Sequence, residues 1–273
     1  HKHIGALKCH YCGFLVYDSA KVCRRCGSHA VHYSGFGTEQ VETEAQELFP
    51  EARVGRLDFD TTRRRRSFED IIRRFETQNL DIMVGTQMIA KGLDFSNVGL
   101  VAVLNADNLL NFTDFRVEEN AFQTLVQISG RAGRRQAGRV MIQTYSPDSE
   151  LMKCVAANDF ERFFKVQMQE RHIFRYPPYC RMTTLTLKHR DNNLLTRASD
   201  YLANSLRNNE IFEVLGAESP PISKINNTFI RNIIIKTDAK HPLSKVNPVI
   251  VKHIEAFKRN TEYKQVGVFV DVE

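Results

Sequence analysis

The segment Asp81-Ile82-Met83-Val84-Gly85-Thr86 decides the fold of the central part of the chain, because it is a short apolar run that ends in a polar turn. Such a run is typical of a strand buried in a parallel sheet. Residues 53–58, 98–104 and 139–145 show comparable strand patterns, and stretches with helical spacing of apolar residues lie between them. This alternation predicts an α/β domain with a doubly wound parallel sheet.

Ligands of such folds bind at the carboxyl ends of the strands. The polar turns that begin at Thr86, Asn105 and Ser146 lie at those ends if the predicted strands are correct. Two motifs accompany these turns, one at residues 85–94 and one at residues 127–134. The sequence therefore predicts the functional site at this edge of the sheet.

The second motif, Gln-Ile-Ser-Gly-Arg-Ala-Gly-Arg, ends in two arginines, Arg131 and Arg134. Side chains three residues apart share one face of a helix, and the small neighbouring residues leave both arginines room to reach across a cleft. The planar guanidinium group matches phosphate oxygens, so paired arginines are suited to stabilise charge on a departing phosphoryl group. A basic turn on the surface is the alternative interpretation.

Four of the six cysteines form two CxxC pairs near the beginning of the chain. Two residues between thiolates allow both sulfurs to bind one Zn²⁺, and four thiolates make a closed tetrahedral site without an open position for catalysis. The pairs therefore predict a structural zinc segment over residues 1–34, with free buried thiols as the alternative. The predicted ligands are Cys9, Cys12, Cys23 and Cys26.

Positive charge is concentrated at the two ends of the chain. Residues 1–34 hold five Lys/Arg and one acid, residues 179–273 hold fourteen and ten, and residues 35–178 hold nineteen and twenty-one. This distribution suits a polyanionic partner such as DNA or RNA, although a solvated basic surface explains it equally well. No apolar run approaches the roughly 18 residues that cross a bilayer, so we expect a cytoplasmic protein without a membrane partner.

The pattern changes after Pro177-Pro178, where strand and helix patterns follow in the order βαββαβ. This order predicts a ferredoxin-like α+β domain over residues 179–273, after a central domain over residues 35–178. Lys224 and Arg231 belong to a group of basic residues around its central predicted strand. We expect them to contact DNA phosphates, with a solvated surface as the alternative.

Several stretches together resemble a known family. Gly85-Thr-Gln-Met and Lys91-Gly92 are similar to motif V of superfamily 2 helicases, and residues 127–134 are similar to motif VI. The cysteine pairs, Gly37-Thr38-Glu39-Gln40 and Val103-Leu-Asn-Ala-Asp107 with Asp114-Phe115-Arg116 resemble the primosomal replication-restart DNA helicases of the PriA family (primosomal protein N′). The resemblance covers essentially the whole chain and corresponds to the C-terminal half of that family.

The resemblance implies a RecA-like second helicase lobe and assigns roles to individual residues. Arg134 would be the arginine finger, Arg131 a second phosphate contact, and Gln127 a residue that orients the γ-phosphate or the attacking water. Gly92 and Asp94 would shape the nucleotide-facing end of motif V. Thr86 and Gln87 would contact the DNA backbone or couple it to the ATP site.

The family also implies parts that this sequence does not contain. No GxxxxGK[ST] phosphate loop and no DExH pair occur, so the groups that hold ATP and Mg²⁺ would lie on an upstream lobe, and we expect no ATP hydrolysis by this chain alone. The chain begins at His1, and we expect it to be a fragment. The family carries eight zinc-site cysteines, so the number of zinc ions held by four stays open. Asn105 and Thr113 stand where the family more usually has Asp and Pro.

The expected function is that of an ATP-dependent 3′→5′ DNA helicase that recognises stalled or branched forks and initiates primosome assembly. Its implied partners are branched and single-stranded DNA, single-stranded DNA-binding protein and other primosome proteins. A zinc-ribbon nucleic-acid adaptor without motor activity, or another superfamily 2 helicase, are the alternatives. The run of four arginines at residues 63–66 indicates a solvated helix start or, alternatively, a phosphate contact.

Overall fold

The structure is a computed structural model that describes residues 37–58, 65–86, 95, 97–132 and 138–273, without the side chains of residues 65–67. It also describes the backbone of three short strands, β1 (Lys2–His3), β2 (Ala6–Lys8) and β3 (Leu15–Val16), which pair in antiparallel fashion in that order. Within these residues, no helix is both long and apolar enough to span a bilayer.

The region that resembles a helicase lobe lies between residues 37 and 160 and is called the lobe below. Its first part contains α1 (Thr38–Leu48), β4 (Val54–Leu57), α2 (Arg65–Glu76) and β5 (Ile82–Gly85). Strands β4 and β5 pair in parallel, from Val54 opposite Ile82 to Leu57 opposite Gly85. Leu57, Leu80 and Val84 are buried. Leu80 packs directly on the backbone of β4, since a Cβ atom at Gly55 would lie 2.7 Å from Leu80 Cδ1.

The second part contains β6 (Leu100–Val103), a 3-10 helix (Ala106–Leu110), α3 (Val117–Ser129), β7 (Arg139–Ile142) and α4 (Glu150–Ala157). Strands β6 and β7 again pair in parallel. Helix α3 buries Ala121, Phe122 and Leu125, and it packs against α4. The strands thus have the parallel direction that their apolar runs predicted, and the mixed α/β class is confirmed. Among the described residues, the two pairs are separate two-stranded sheets.

The C-terminal part begins with α5 (Phe160–Ile173) and continues with a single antiparallel sheet and two helices. These elements are β8 (Cys180–His189), α6 (Asn192–Arg207), β9 (Phe212–Glu218), β10 (Lys224–Ile225), β11 (Thr228–Asp238), α7 (Leu243–Arg259) and β12 (Gly267–Val272). The strands follow the order β10–β11–β8–β12, and β9 also pairs with β11. The short strand β10 is an addition to the βαββαβ order predicted from the sequence.

One core lies between the C-terminal sheet and its helices. Leu185, Ile233 and Leu202 are fully buried in it, and Phe257 of α7 is 1 % exposed. The adjoining strand β9 contains a glycine with positive φ, Gly216 (φ 88°), where a Cβ atom would lie 2.8 Å from the carbonyl oxygen of Asn232. This position therefore requires glycine on conformational and on steric grounds.

The described residues divide into two compact units. One consists of Phe112–Phe115 and Glu161–Glu273 with part of the N-terminal residues, and the other contains the remaining described residues between 37 and 160. Most of α5 therefore belongs to the unit that contains the C-terminal sheet. The domain boundaries expected at residues 34 and 178 stay predictions.

Candidate functional site

The carboxyl ends of β6 and β7 are held together by one acidic side chain. Asp107 accepts hydrogen bonds from the Thr144 hydroxyl (3.0 Å) and from the backbone N–H of Tyr145 (3.1 Å). The backbone N–H of Ala106 donates to the carbonyl oxygen of Gln143 at 2.9 Å. Asp107 thus fixes the turn after one strand to the turn after its neighbour, at the sheet edge where the sequence predicted the functional site.

Asn105, which directly precedes the 3-10 helix, has a left-handed backbone conformation with φ 52° and ψ 61°. Its backbone N–H donates a hydrogen bond to Gln143 Oε1 at 3.2 Å. Asn and Asp are the non-glycine residues that adopt this region most readily. The difference between this chain and the usual Asp of the family is therefore conservative in backbone terms.

Helix α3 positions Gln127 and Arg131, the two predicted site residues of the motif VI segment that the structure describes. Its buried stripe is formed by Ala121, Phe122 and Leu125, whereas Gln127 lies exposed on its last turn. The helix ends at Ser129, and the N–H of Arg131 donates to the carbonyl oxygen of Ile128 at 3.0 Å. Arg131 is therefore half-buried in a tight turn directly after the helix.

The spacing argument for two arginines on one helical face does not apply at Arg131, because α3 ends before it. Arg134 lies outside the described residues. The predicted roles of both arginines and of Gln127 stay predictions.

The carboxyl end of β4 and the first turns of α1 form a second, charged cluster. Asp58 is 6 % exposed and accepts a hydrogen bond of 2.5 Å from the Thr38 hydroxyl. Arg56 Nε lies 3.5 Å from the Asp58 carboxylate and 3.3 Å from that of Glu42. These contacts attach the start of α1 to the end of β4. Asp58 ends a strand that the sequence predicted, and this acidic position was the available signal. It was not among the predicted site residues.

Thr86 follows β5 directly and is exposed, so its side chain is accessible to a ligand at this edge. The other predicted residues of the motif V segment, Gln87, Gly92 and Asp94, lie outside the described residues, as do residues 63–64. The same holds for the four predicted zinc ligands, Cys9, Cys12, Cys23 and Cys26. In the described part of the chain, no three His, Cys, Asp or Glu side chains come together as a metal site.

At the start of the β4–β5 pair, an arginine lowers the pKa of a carboxylate. Arg53 donates to Asp81 from its backbone N–H, from Nε and from its terminal nitrogen, each at 2.8 Å. These hydrogen bonds hold the pKa of Asp81 well below its usual value. The pair lies at the amino ends of both strands, which identifies it as a structural contact remote from the predicted site.

Two basic residues of the C-terminal domain have intramolecular partners. Arg231 donates to the Thr196 hydroxyl (2.9 Å) and to the carbonyl oxygen of Ala217 (2.6 Å), and its side chain is 16 % exposed. Lys236 is 8 % exposed and donates to the carbonyl oxygen of Phe174 at 2.9 Å. Both cations therefore stabilise the domain that carries them.

Lys224 is more accessible than Arg231. It lies at the start of β10, half-exposed, with its Nζ 4.6 Å from the ring centroid of Phe229. Lys240 and Lys245 are exposed in and after the turn that follows β11. The basic group predicted from the sequence is thus divided between exposed lysines and cations that hold the domain together.

The chain is similar to known proteins along nearly its whole length. Residues 27–136 match the model of the helicase conserved C-terminal domain, and residues 172–273 match that of the primosomal protein N C-terminal domain. The replication restart protein PriA of Bacillus subtilis is 38% identical over 275 residues, which cover 100% of this chain and 34% of that protein.

Two further proteins named replication restart protein PriA are similar to this chain over most of its length. The protein of Synechocystis is 33% identical over 98% of this chain and 31% of its own length, and that of Haemophilus influenzae is 34% identical over 90% and 34%. The chain spans about a third of the length of the curated relatives it matches. Both domain models and these relatives agree with the motifs and with the two units of the fold, and the chain therefore belongs to the PriA family of replication restart proteins.

Proposed function

We propose that the chain is part of an ATP-dependent 3′→5′ DNA helicase that recognises stalled or branched replication forks and initiates primosome assembly. The observation that carries the proposal is the end of α3, where Gln127 is exposed and Arg131 follows in a fixed turn. This segment lies within the residues that match the helicase C-terminal domain. Family membership favours the binding of a nucleotide phosphate by these residues at the end of α3.

In this proposal, the lobe contributes cations and the longer protein contributes the remaining nucleotide site. Arg131 and Arg134 would stabilise charge on the γ-phosphate of ATP, and Gln127 would orient the phosphate or the attacking water. Gly92 and Asp94 would shape the adjoining loop. The phosphate loop and the acidic residues that hold Mg²⁺ would belong to the other lobe, so this chain alone would hydrolyse no ATP.

The DNA-binding part of the proposal rests on exposed residues in both units. Thr86, together with Gln87, would contact the DNA backbone at the end of β5. In the C-terminal domain, the strand order β9–β11–β8–β12 with helices after β8 and β11 supports a ferredoxin-like arrangement. There Lys224 is the better candidate for a phosphate contact than Arg231, whose guanidinium already has partners. Single-stranded DNA-binding protein and other primosome proteins would be further partners.

The cysteine segment would hold Zn²⁺ in a structural role. Four thiolates are the donor set that a closed tetrahedral zinc site uses, and such a site would stabilise a small segment that has little core of its own. The proposed ligands are Cys9, Cys12, Cys23 and Cys26. Metal analysis of the purified chain, with and without substitution of one cysteine pair, tests this part and gives the number of zinc ions.

ATP hydrolysis by the full-length protein in the presence of forked DNA tests the motor assignment. We expect the change Arg131→Ala to reduce DNA-stimulated turnover by about 1000-fold, because an arginine that contacts the transferred phosphoryl group has an effect of this order. Arg131→Lys should restore little activity, since an ammonium group keeps the charge but loses the planar fork.

Arg139→Ala is the matched control, because Arg139 is an exposed arginine at the start of β7 and belongs to neither motif. It should leave turnover unchanged. A zinc-ribbon adaptor without motor activity predicts a different result: DNA binding by the full-length protein without any ATP turnover. That result, or full activity in Arg131→Ala, would contradict the proposal.

A further inference from the structure

The edge strand β12 of the C-terminal sheet carries an exposed aromatic residue, Phe269. It lies opposite Thr186 of β8, whereas its neighbour Val268 packs against the core and lies opposite Leu187, which is fully buried there. Because successive side chains of a strand point to opposite faces, Phe269 belongs to the face of the sheet that lies away from the core, which we call the outer face. Phe269 is 56 % exposed, so its ring is accessible to a ligand.

A lysine and a glycine determine where the ring of Phe269 lies. Lys188 Nζ is 4.7 Å from the ring centroid, and Lys188 lies opposite Gly267 in the register of β8 and β12. A Cβ atom at Gly267 would lie 3.2 Å from Phe269 Cε2, so the ring lies against the side of Gly267 where another residue would carry its side chain. The outer face therefore presents an aromatic ring close to the sheet, together with a cation that the ring attracts.

Further cations lie at the same end of the sheet, where β8 ends and β12 begins. Arg190 and Lys264 are exposed there, and Lys224 lies at the start of β10, which pairs with β11 next to β8. Asp191, which follows Arg190, uses its carboxylate to cap the first turn of α6. Asp271 lies two residues after Phe269, towards the opposite end of the sheet. The charge at this end is therefore complementary to a polyanion.

We propose that Phe269 stacks on a base of single-stranded DNA and that Lys188 contacts a phosphate next to that base. This inference rests on the DNA-binding part of the proposed function, and it names the form of DNA and the group that is recognised. An aromatic side chain stacks on any unpaired base, and cations beside it follow the backbone. Because Lys188 Nζ lies close to the ring, a nucleotide whose base stacks there brings its phosphate within reach of the ammonium group.

Two oligonucleotides of equal length, oligothymidylate and a strand of abasic residues, test the inference by titration of the chain. Both carry the same phosphates, so the difference between their affinities measures contacts with bases. The wild type should bind oligothymidylate more tightly, and Phe269→Leu should weaken that binding about tenfold without changing the affinity for the abasic strand. Phe269→Tyr keeps the ring and should retain the preference. Val270→Ala is the matched control, because Val270 is 52 % exposed on the same strand but belongs to the opposite face.

The variant Phe269→Trp reports on the contact directly, because the chain contains no other tryptophan. Oligothymidylate should quench its indole fluorescence by stacking, and the abasic strand should not. Lys188→Ala should reduce the salt dependence of binding by about 0.7 units of slope for both oligonucleotides, the amount expected for one phosphate contact with a single strand.

Equal affinity of the wild type for both oligonucleotides, or an unchanged preference in Phe269→Leu, overturns the inference while DNA binding by the chain stands. If the wild type binds neither oligonucleotide and no forked DNA, the DNA-binding part of the proposed function fails as well. If Phe269→Leu abolishes self-association of the chain in sedimentation and leaves both affinities unchanged, the exposed ring belongs to an interface between two copies, and the inference is overturned.

Discussion

The C-terminal domain and the lobe differ in how accessible some of their polar side chains are to a ligand. In the C-terminal domain, Arg231 and Lys236 are directed at hydroxyl and carbonyl groups of their own unit. In the lobe, Thr86 and Gln127 are exposed at the ends of a strand and a helix. The comparison indicates that these two cations stabilise the C-terminal domain, whereas Thr86 and Gln127 of the lobe are accessible to a ligand.

The two regions also differ in how their cores are built. The antiparallel C-terminal sheet and its two helices share one cluster of buried side chains. In the described part of the lobe, the strands form two parallel pairs that belong to separate sheets. Parallel strands need long crossover connections, and their association depends on contacts that are remote in sequence. The C-terminal domain should therefore be the more stable of the two units.

A cavity in the C-terminal core gives the largest effect expected from this comparison. Phe257 is 1 % exposed and stacks on Tyr263, with ring centroids 5.7 Å apart. The change Phe257→Ala should reduce the free energy of unfolding of this domain by about 3 to 5 kcal/mol. Urea unfolding of the chain followed by tyrosine fluorescence and circular dichroism measures the loss.

Leu215→Ala is the control for this change, because Leu215 lies on β9 and is 38 % exposed. Its cost should stay below about 1 kcal/mol. If Phe257→Ala and Leu215→Ala were equally mild, the C-terminal core would not be the main source of stability, and the difference drawn between the two units would disappear.

Arg231 and Lys224 provide a test of intermediate size, because one cation is engaged and the other is accessible. The change Arg231→Ala leaves the Thr196 hydroxyl and the carbonyl oxygen of Ala217 without this donor, and it should cost about 1 to 3 kcal/mol of stability. Lys224→Ala should cost little stability, but it should reduce the salt dependence of DNA binding by about one unit of slope.

Thermal unfolding and DNA titration at several salt concentrations separate these two effects. A reduced slope with unchanged stability in Arg231→Ala would show that this arginine contacts phosphate, as the sequence analysis expected, and would contradict the structural role. An unchanged slope in both variants would remove the C-terminal basic residues from the DNA-binding surface.

The sequence predicted the elements of the C-terminal domain well, because its strands and helices have regular patterns and are neighbours in sequence. It did not predict β10, whose two residues are too short to show a pattern. It also did not predict that the rings of Phe115 and Tyr176 stack, since the two residues are far apart in the chain. Such pairings follow from tertiary structure alone.

The sequence motifs predicted which residues belong to the candidate site. They did not predict how those residues are arranged in space. Residue spacing suggested that Arg131 lies on a helix, whereas α3 ends at Ser129 because the backbone turns at Gly130. Asp107 was noted as part of a family signature, but its bonds to Thr144 and Tyr145 depend on the parallel pairing of β6 with β7. Sequence patterns identify residue types at a site, and strand pairing determines which of them meet.

The smallest expected effect concerns pH and the lobe. Hydrogen bonds from Arg53 hold the pKa of Asp81 below its ordinary value near 3.8. Because the folded-state pKa is lower than the unfolded-state pKa, the stabilisation is complete at pH values above the unfolded pKa and is lost as the pH falls below about 4. Asp81→Asn should remove this acid-dependent part, so the lobe of the variant should be less stable at neutral pH and less sensitive to acid.

The effect should be modest, since both side chains are about half exposed and solvent screens their attraction. Urea midpoints of the lobe at several pH values from neutral to acid measure it, and Asp70→Asn is the control because its ion pair with Arg73 lies within a single helix. Asp81 joins the amino ends of β4 and β5, whereas the control pair joins no two elements. If both variants showed the same acid dependence, the Arg53–Asp81 contact would not help to align the two parallel strands, and the pairing of β4 with β5 would depend on its buried side chains alone.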